Sequence, residues 1–161
     1  MKKESNASTI SQNKKAYHNY FIENKIEVGV ELFGWEVKSA RVGTVNLGES
    51  FVYFEQSNKG RYEAFLRNAH FSKYKYTREE EQEERRPRRL LMKRNEIEKF
   101  HKAVMSKGVT CIATKLYFNS RGMIKCEIGL AHGKQNYDKK QVLRERDISR
   151  EAERAIKERS R

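Results

Sequence analysis

The chain has 161 residues, and its 35 Lys and Arg against 22 Asp and Glu give a formal net charge of +13. Self-repulsion destabilises a compact chain, so a surplus of this size indicates an anionic partner such as nucleic acid. No apolar run approaches the roughly 18–20 residues of a membrane-spanning helix, and the N-terminus lacks the apolar core of a secretory signal. We therefore expect a cytoplasmic protein that does not bind membranes.

The first half of the chain predicts short strands after a disordered N-terminus. Residues 1–14 are polar and rich in Ser, Asn and Lys, which predicts disorder. The stretch "NYFIENKIEVGVELFG" predicts one or two strands, and "WEVKSARVG" predicts a short helix that ends at Gly43. The segments "ESFVYFEQ" and "RYEAFLRNAHF" flank the turn signal "SNKG" and indicate a β-hairpin.

The second half of the chain begins with a strongly charged segment. Residues 72–88 contain a run of glutamates, several arginines and the single proline, and predict a solvated loop or a helical extension. Apolar residues at helical spacing predict a helix from Arg88 to Lys107, with Gly108 at the C′ position. The segments "VTCIATKLYF" and "MIKCEIGLA" predict a second hairpin.

The register of this second hairpin follows from its apolar face. A three-residue loop over 120–122 places Gly122 at the left-handed position of a bulged turn and makes one face almost wholly apolar. A two-residue loop would shift every side chain to the other face. In the chosen register Cys126 points inward and Cys111 outward, so no disulfide joins them. The predicted partners are Phe118 with Ile124, Leu116 with Cys126, Thr114 with Ile128, Ile112 with Leu130, Tyr117 with Lys125, and Lys115 with Glu127.

Together these elements predict a mainly β fold with about six short antiparallel strands and two or three helices. Such strands avoid exposed edges by closing into a small barrel of the oligonucleotide-binding type. We expect this RNA-binding barrel domain over residues 15–133 and a basic tail over residues 134–161, in a protein that is a monomer.

The C-terminal tail carries a stripe of positive charge. On a helix, one side carries Arg146, Arg150, Arg154, Lys157 and Arg161, and Ile156 falls on roughly the opposite side. Arginines at i,i+4 destabilise an isolated helix by roughly 0.2–0.5 kcal/mol per pair. We therefore expect a tail that is disordered alone and becomes helical when phosphates neutralise the stripe. A solvated charged helix or a short coiled-coil segment is the alternative.

Candidate catalytic groups are few. His18, His70, His101 and His132 are the only histidines, and a small ribonuclease would need two of them as acid and base. Motifs for metal binding, phosphate cradling and nucleophilic catalysis are absent. We expect no catalytic residues, no metal and no cofactor. Aromatic and basic residues alternate in "KKAYHNYF", "KYKYTR" and "KLYF", which is typical of RNA binding because cations anchor phosphates and rings stack on bases.

Several stretches together resemble one bacterial family, the tmRNA-binding SmpB proteins. The most specific are "GWEVKSARVGTVNL" and "GLAHGKQNYDKK", and the resemblance runs from about Asn13 to the C-terminus. It implies an oligonucleotide-binding-type barrel that binds the tRNA-like domain of tmRNA and delivers it to stalled ribosomes. The tail would contact the small-subunit decoding centre and occupy the empty mRNA channel as a helix. A general single-stranded RNA binder, or a ribosomal protein with such a barrel, is the alternative.

Two groups of site residues follow. The first lies on or supports the RNA-binding surface and comprises Asn13, Lys14, Glu27, Glu36, Lys38, Asn46, Leu91 and Lys125. The second lies in the tail and faces the ribosome: Gly133, Lys134, Tyr137, Asp138, Lys139, Lys140 and Ile156 by resemblance, with Arg146, Arg150 and Arg154 from the charged stripe. The family usually has Arg where this chain has Lys140, which removes the planar fork of a bidentate contact.

Overall fold

The computed structural model describes residues 8–134, 146 and 148–157. Its strands and helices follow one another along residues 8–134. In chain order they are β1 Ser8–Gln12, α1 Lys14–Asn19, β2 Tyr20–Val30, α2 Gly34–Val42, β3 Val45–Asn46, β4 Phe51–Gln56, β5 Tyr62–Arg67, β6 His70–Phe71, β7 Arg88–Leu91, α3 Arg94–Val104, β8 Val109–Phe118 and β9 Ile124–Gly133. No helix in this described part of the chain has the length and apolar character needed to cross a bilayer.

Six strands form a closed ring of antiparallel pairs. The order is β8-β4-β5-β7-β2-β9, and β9 pairs back onto β8. Strand β1 is added to β8, and β3 pairs with β6 in a separate two-stranded sheet. Closure satisfies the backbone groups that an open sheet would leave at its edges. The predicted mainly β fold with about six antiparallel strands is confirmed.

The helix and the first hairpin predicted for the first half of the chain are confirmed. Helix α2 ends at Gly43, whose φ of 82° is the left-handed conformation that a residue without Cβ adopts at least cost. Trp35 and Ala40 point from α2 into the main core. Strands β4 and β5 pair over their whole length, from Phe51 opposite Arg67 to Gln56 opposite Tyr62.

The second hairpin is confirmed near its turn and differs beyond it. Gly122 has a φ of 75°, and Phe118 and Leu116 pair with Ile124 and Cys126 as predicted. A bulge at Thr114 then shifts the register, so Ala113 lies opposite Ile128 in place of Thr114. An extra residue in one strand reverses the faces beyond it. The prediction that Cys111 points outward is therefore wrong, because Cys111 is fully buried in the main core.

The predicted helix from Arg88 to Lys107 begins later than the sequence indicated. Residues Arg88–Leu91 form strand β7, in which buried and exposed side chains alternate, and α3 covers only Arg94–Val104. Leu90 packs in the core as a strand residue between β2 and β5. The helix ends at Val104 with Met105 as its C-cap, so Gly108 is not its C′ residue but takes a left-handed conformation in the turn before β8.

Part of the N-terminus predicted to be disordered is ordered. Within the range 1–14, Ser8–Gln12 form β1 on the edge of β8, and Ile10 packs against the main core. Residues 1–7 lie outside the described residues. The free energy gained from burying Ile10 and from the backbone hydrogen bonds between β1 and β8 exceeds the entropy cost of ordering this polar segment.

Residues 148–157 of the tail are helical, as is Arg146, and every described side chain among them is exposed. Arg150 and Arg154 of the predicted stripe lie on this helical segment, and the expectation that the tail is disordered alone and becomes helical with RNA stays a prediction. Favourable spacings offset the arginine repulsion, for example Glu153 four residues before Lys157. Ala152 and Ala155 also have the highest intrinsic helix propensity.

Candidate nucleic-acid interface

One row of residues crosses four neighbouring strands on the outside of the ring. Leu91 of β7 pairs with Gly29 of β2, Gly29 pairs with Lys125 of β9, and Lys125 pairs with Tyr117 of β8. A Cβ at Gly29 would lie 3.2 Å from Leu91 Cβ, so a side chain there would push Leu91 away by a few tenths of an ångström. Leu91 is 56% exposed, so an apolar side chain lies at one end of the row and an aromatic one at the other.

A second row lies beside the first and carries most of the charge. Glu27 of β2 pairs with Glu127 of β9, which pairs with Lys115 of β8. The Tyr117 hydroxyl donates a hydrogen bond to Glu27 Oε2, and Lys115 Nζ lies 5.2 Å from the centroid of the Tyr117 ring. Burial, and then the bond to Glu27, raise the pKa of the Tyr117 hydroxyl. We call these two rows the outer strip: Glu27, Gly29, Leu91, Lys115, Tyr117, Lys125 and Glu127.

The carboxylates of the outer strip accept hydrogen bonds from side chains of the protein, whereas its lysines have no carboxylate partner among the described residues. Glu127 Oε1 accepts a hydrogen bond of 2.8 Å from the Thr114 hydroxyl, and Glu27 accepts the bond from Tyr117. Among the described residues, no carboxylate lies within salt-bridge distance of the side-chain nitrogens of Lys115 or Lys125. The positive charge of the strip is therefore available to a ligand, while its negative charge is held in place.

Tyr17 and Lys25 form an aromatic and cationic pair between α1 and β2. Lys25 Nζ lies 4.9 Å from the centroid of the Tyr17 ring. A hydrogen bond with Tyr17, and more weakly the charge of Glu127, raise the pKa of the Lys25 ammonium group. This pair adds a second cation on an aromatic ring near the outer strip, an arrangement that suits phosphate and base contacts.

Asn13, predicted to lie on or support the RNA-binding surface, is a buried residue. Its Oδ1 accepts a hydrogen bond of 3.1 Å from the backbone of Ala16 and so caps α1. Its Nδ2 donates to the carbonyl of Ala113 at 3.0 Å, which fixes α1 against β8. With 2% of its surface exposed, Asn13 supports the surface and does not form it. Lys14 follows it and is exposed.

Glu36, also predicted to lie on or support the RNA-binding surface, is fully buried between two arginines. Its carboxylate accepts hydrogen bonds from Arg86 and Arg88 and a bond of 2.8 Å from the backbone of Phe33 at the start of α2. Arg88 is itself fully buried and donates to the carbonyl of Ala69 at 2.7 Å. Glu36 therefore fixes α2 to the charged segment and β7, and has no surface for RNA.

Lys38 and Asn46 lie outside the strands of the outer strip. Lys38 is exposed on α2, with Nζ 5.5 Å from the centroid of the Tyr74 ring. Asn46 is exposed in β3, and its Oδ1 accepts a hydrogen bond of 2.7 Å from Gly48 N. Of the predicted surface residues, the fold thus brings Glu27, Leu91 and Lys125 into one strip.

The predicted ribosome-facing residues are described only in part. Gly133 ends β9 opposite Tyr20, and Lys134 after it is exposed. Tyr137, Asp138, Lys139 and Lys140 lie outside the described residues. The four remaining positions are exposed on the helical segment, and they are Arg146, Arg150, Arg154 and Ile156.

Two functional features were not singled out from the sequence. Tyr117 was one of several tyrosines next to lysines, and only its predicted pairing with Lys125 placed it beside a candidate residue. The sequence did not indicate that Arg86 and Arg88 hold Glu36, because they are 50 and 52 residues away from it in the chain.

Three of the histidines contact different neighbours. His70 contacts Glu84 at 2.9 Å, His132 contacts Glu23 at 2.7 Å, and His101 stacks on Tyr62.

Comparison with known proteins decides what kind of molecule presents this strip. A family model described as "SmpB protein" matches residues 10–158. The chain belongs to the SmpB family. SmpB is a family of RNA-binding proteins and not of enzymes.

Individual relatives agree with this assignment to SmpB. An SsrA-binding protein of Geotalea uraniireducens is 43% identical over 152 residues, covering 94% of this chain and 97% of that protein. One of Shouchella clausii is 45% identical over 152 residues, covering 94% of each chain. A solved chain described as "tmRNA-SmpB: a journey to the center of the bacterial ribosome" superposes with a TM-score of 0.62 at 37% identity, over 76% of this chain and 82% of that chain.

Proposed function

We propose that this chain is an RNA-binding adaptor that holds the tRNA-like domain of tmRNA on its outer strip and delivers it to stalled ribosomes. Its relatives are named as SsrA-binding proteins, and its structural neighbour is described with tmRNA and the bacterial ribosome. The observation that carries the proposal is the outer strip itself: Lys115 lies over the Tyr117 ring, neither Lys115 nor Lys125 has a carboxylate partner within the described residues, and both carboxylates accept hydrogen bonds from hydroxyl groups.

The chemistry of the strip suits a folded RNA. Lys115 and Lys125 supply cations for phosphates, which provide most of the affinity for nucleic acid. Tyr117 offers a flat aromatic face to unstacked bases, and the exposed Leu91 offers apolar surface to bases or sugars. Glu27 accepts hydrogen bonds, and 2′-hydroxyl or amino donors of RNA suit such an acceptor. A purely cationic surface would lack this last element.

The buried residues of the predicted site act through their neighbours. Asn13 fixes α1 and so places Lys14, and Glu36 fixes α2 and so places Lys38. Lys38, together with Asn46, extends the proposed contact beyond the outer strip. We expect substitutions at the two buried positions to weaken RNA binding only as far as they loosen these helices.

The tail is proposed to read the ribosome. The exposed Arg146, Arg150 and Arg154 form a stripe suited to the phosphates that line an empty mRNA channel. Ile156 is 67% exposed and would gain burial only on a partner. Gly133 and Lys134 begin this segment at the end of β9, and we assign them, with the residues at 137–140, to contacts at the decoding centre. Phosphates would remove the repulsion between the arginines and extend the helix along the channel.

A truncation after Gly133 tests this division of labour. The truncated protein should retain its affinity for tmRNA, because the strip is intact, and should lose the ability to rescue stalled ribosomes in a reconstituted translation reaction. A parallel comparison measures binding to tmRNA, tRNA and poly-U at one salt concentration. Loss of tmRNA binding on truncation would contradict the division of labour. Equal affinity for all three RNAs would instead favour a general single-stranded RNA binder.

A further inference from the structure

A basic groove lies beside the outer strip, between the β4–β5 turn, strand β7 and the start of α3. Its volume is about 590 Å³. Five cationic residues line it, and Glu63 is the carboxylate among its lining residues. The cations are Lys59, Arg61, Arg89, Lys93 and Arg94.

Most of this positive charge is not neutralised by the protein. Arg89 lies 3.3 Å from Glu63, and Arg94 lies 3.8 Å from Glu98. Within residues 8–134, no carboxylate lies within salt-bridge distance of the side chains of Lys59, Arg61 or Lys93. Like charges held around one concave surface repel each other, and an anionic ligand would relieve this cost.

The groove also contains an aromatic platform. The Tyr62 ring stacks on the His101 ring with centroids 4.0 Å apart and an interplanar angle of 27°. Tyr62 is 37% exposed and lines the groove, which leaves part of its ring open to a ligand. Tyrosine faces stack on unpaired bases, and surrounding cations hold the flanking phosphates. An acidic peptide would use the cations and leave the platform without a partner.

We propose that this groove binds an unpaired segment of the same tmRNA that the outer strip holds. The continuity of the two surfaces favours one RNA, because Leu91 lines the groove and also begins the first row of the strip. One base stacks on Tyr62, and the adjacent phosphates lie against Lys59, Arg61 and Lys93. This inference rests on the proposed function, and it adds a second point of attachment on a different part of the ring.

Two sets of charge-neutralising substitutions in the full chain test the groove. The groove variant combines Lys59→Gln, Arg61→Gln and Lys93→Gln. The control variant combines Lys99→Gln, Lys102→Gln and Lys107→Gln, which removes the same charge from exposed positions that do not line the groove. If three phosphate contacts to a single strand are lost, the negative slope of the logarithm of the tmRNA association constant against the logarithm of salt concentration should become shallower by about 2. The affinity for tmRNA near 0.1 M salt should fall roughly 100-fold. The control variant should leave the salt slope nearly unchanged and should change the affinity for tmRNA by no more than a fewfold factor.

Substitutions at Tyr62 separate stacking from charge. Tyr62→Leu should weaken tmRNA binding by about tenfold, whereas Tyr62→Phe keeps the ring and should bind as the wild type does. Nuclease footprinting should show a tmRNA segment whose protection is lost in the groove variant and in Tyr62→Leu while protection elsewhere remains.

The outcomes distinguish the groove from the proposed function. If the groove and control variants bind tmRNA alike while Lys115→Gln with Lys125→Gln weakens binding, the groove inference is overturned and the outer strip stands. The groove inference would also be overturned if the footprint that depends on the groove residues lay on ribosomal RNA and not on tmRNA. A wild-type chain without preference for tmRNA would remove both proposals.

Discussion

The hydroxyl of Tyr117 on β8 reaches across the intervening strand β9 to donate a hydrogen bond to Glu27 on β2. The bond joins the two rows of the outer strip and fixes the position of the Glu27 carboxylate, which keeps its negative charge because the donor is a neutral hydroxyl. It also fixes the ring over which Lys115 lies. One hydrogen bond therefore sets the positions of an acceptor, an aromatic face and a cation.

Tyr117→Phe removes this bond and keeps the ring. We expect the free energy of unfolding at neutral pH to fall by about 1 kcal/mol, which is the usual net value of one hydrogen bond. Because the pKa of the Tyr117 hydroxyl is raised above its ordinary 10.0, its contribution to stability is present below pH 10 and is lost as the pH rises further. Urea unfolding from pH 7 to 11 should therefore show wild type and variant converging at the alkaline end.

The matched control for this variant is Tyr76→Phe, since Tyr76 is 77% exposed. It should change neither the stability nor its pH dependence. If Tyr117→Phe and Tyr76→Phe behave alike, the bond to Glu27 contributes nothing in solution, and the proposed arrangement of the strip loses its main constraint.

The buried carboxylate of Glu36 predicts a large effect on stability. Glu36→Ala leaves the fully buried Arg88 without its charge partner, and breaking a buried pair in this way costs about 3–5 kcal/mol. Burial already lowers the pKa of the Arg88 guanidinium, and the charge of Glu36 opposes that shift. Glu31→Ala, at an exposed position directly after β2, serves as the control and should cost little.

A second substitution distinguishes charge from packing at this site. Glu36→Ala combined with Arg88→Met removes both charges and should recover a large part of the stability lost in Glu36→Ala, as measured by urea unfolding. No recovery would mean that the Arg88 hydrogen bonds to backbone carbonyls, and not its pairing with Glu36, stabilise this region.

The sequence predicted local features well and long-range ones poorly. Gly43 and Gly122 mark the end of α2 and the tip of the second hairpin. Each can be predicted from the sequence because glycine is the usual residue where the backbone takes a left-handed conformation. The bulge at Thr114 has no such marker, since its benefit is the burial of Cys111 and Ala113 against strands distant in the chain. Arg88 was read as a helix residue because its partner Glu36 is too far away in sequence to be identified.

The candidate site shows the same limit. The resemblance supplied Asn13 and Glu36 as surface-related positions, but only packing reveals that both are buried and act through α1 and α2. Glu27, Leu91 and Lys125 come together because β7, β2 and β9 are neighbours in the strand order, and closure of β9 onto β8 adds Tyr117. Neither closure nor the strand order can be read from periodicity, which describes one strand at a time.

The two buried thiols make the Thr114 bulge testable. Burial raises the pKa of Cys111 to about 12, and burial also raises the pKa of Cys126, so neither supplies a reactive thiolate at neutral pH. We expect no reaction with a thiol reagent in the native protein and reaction of both cysteines in urea. Ser120→Cys, at the exposed tip of the hairpin, provides a positive control. Rapid labelling of Cys111 in the native protein would mean that the strand runs in register without the bulge.

The arginine stripe of the tail yields a charge-reversal experiment. Arg146→Glu, Arg150→Glu and Arg154→Glu together should leave tmRNA affinity nearly unchanged, weaken ribosome binding, and flatten its dependence on salt, because phosphate contacts are lost. Helix content should change little, since glutamates at the same spacing repel each other as the arginines do. The control variant reverses Lys99, Lys102 and Lys107, which are exposed cations of α3 and the turn after it. If both triple variants weaken ribosome binding equally, net charge and not the tail stripe governs that binding, and the proposed role of the tail is wrong.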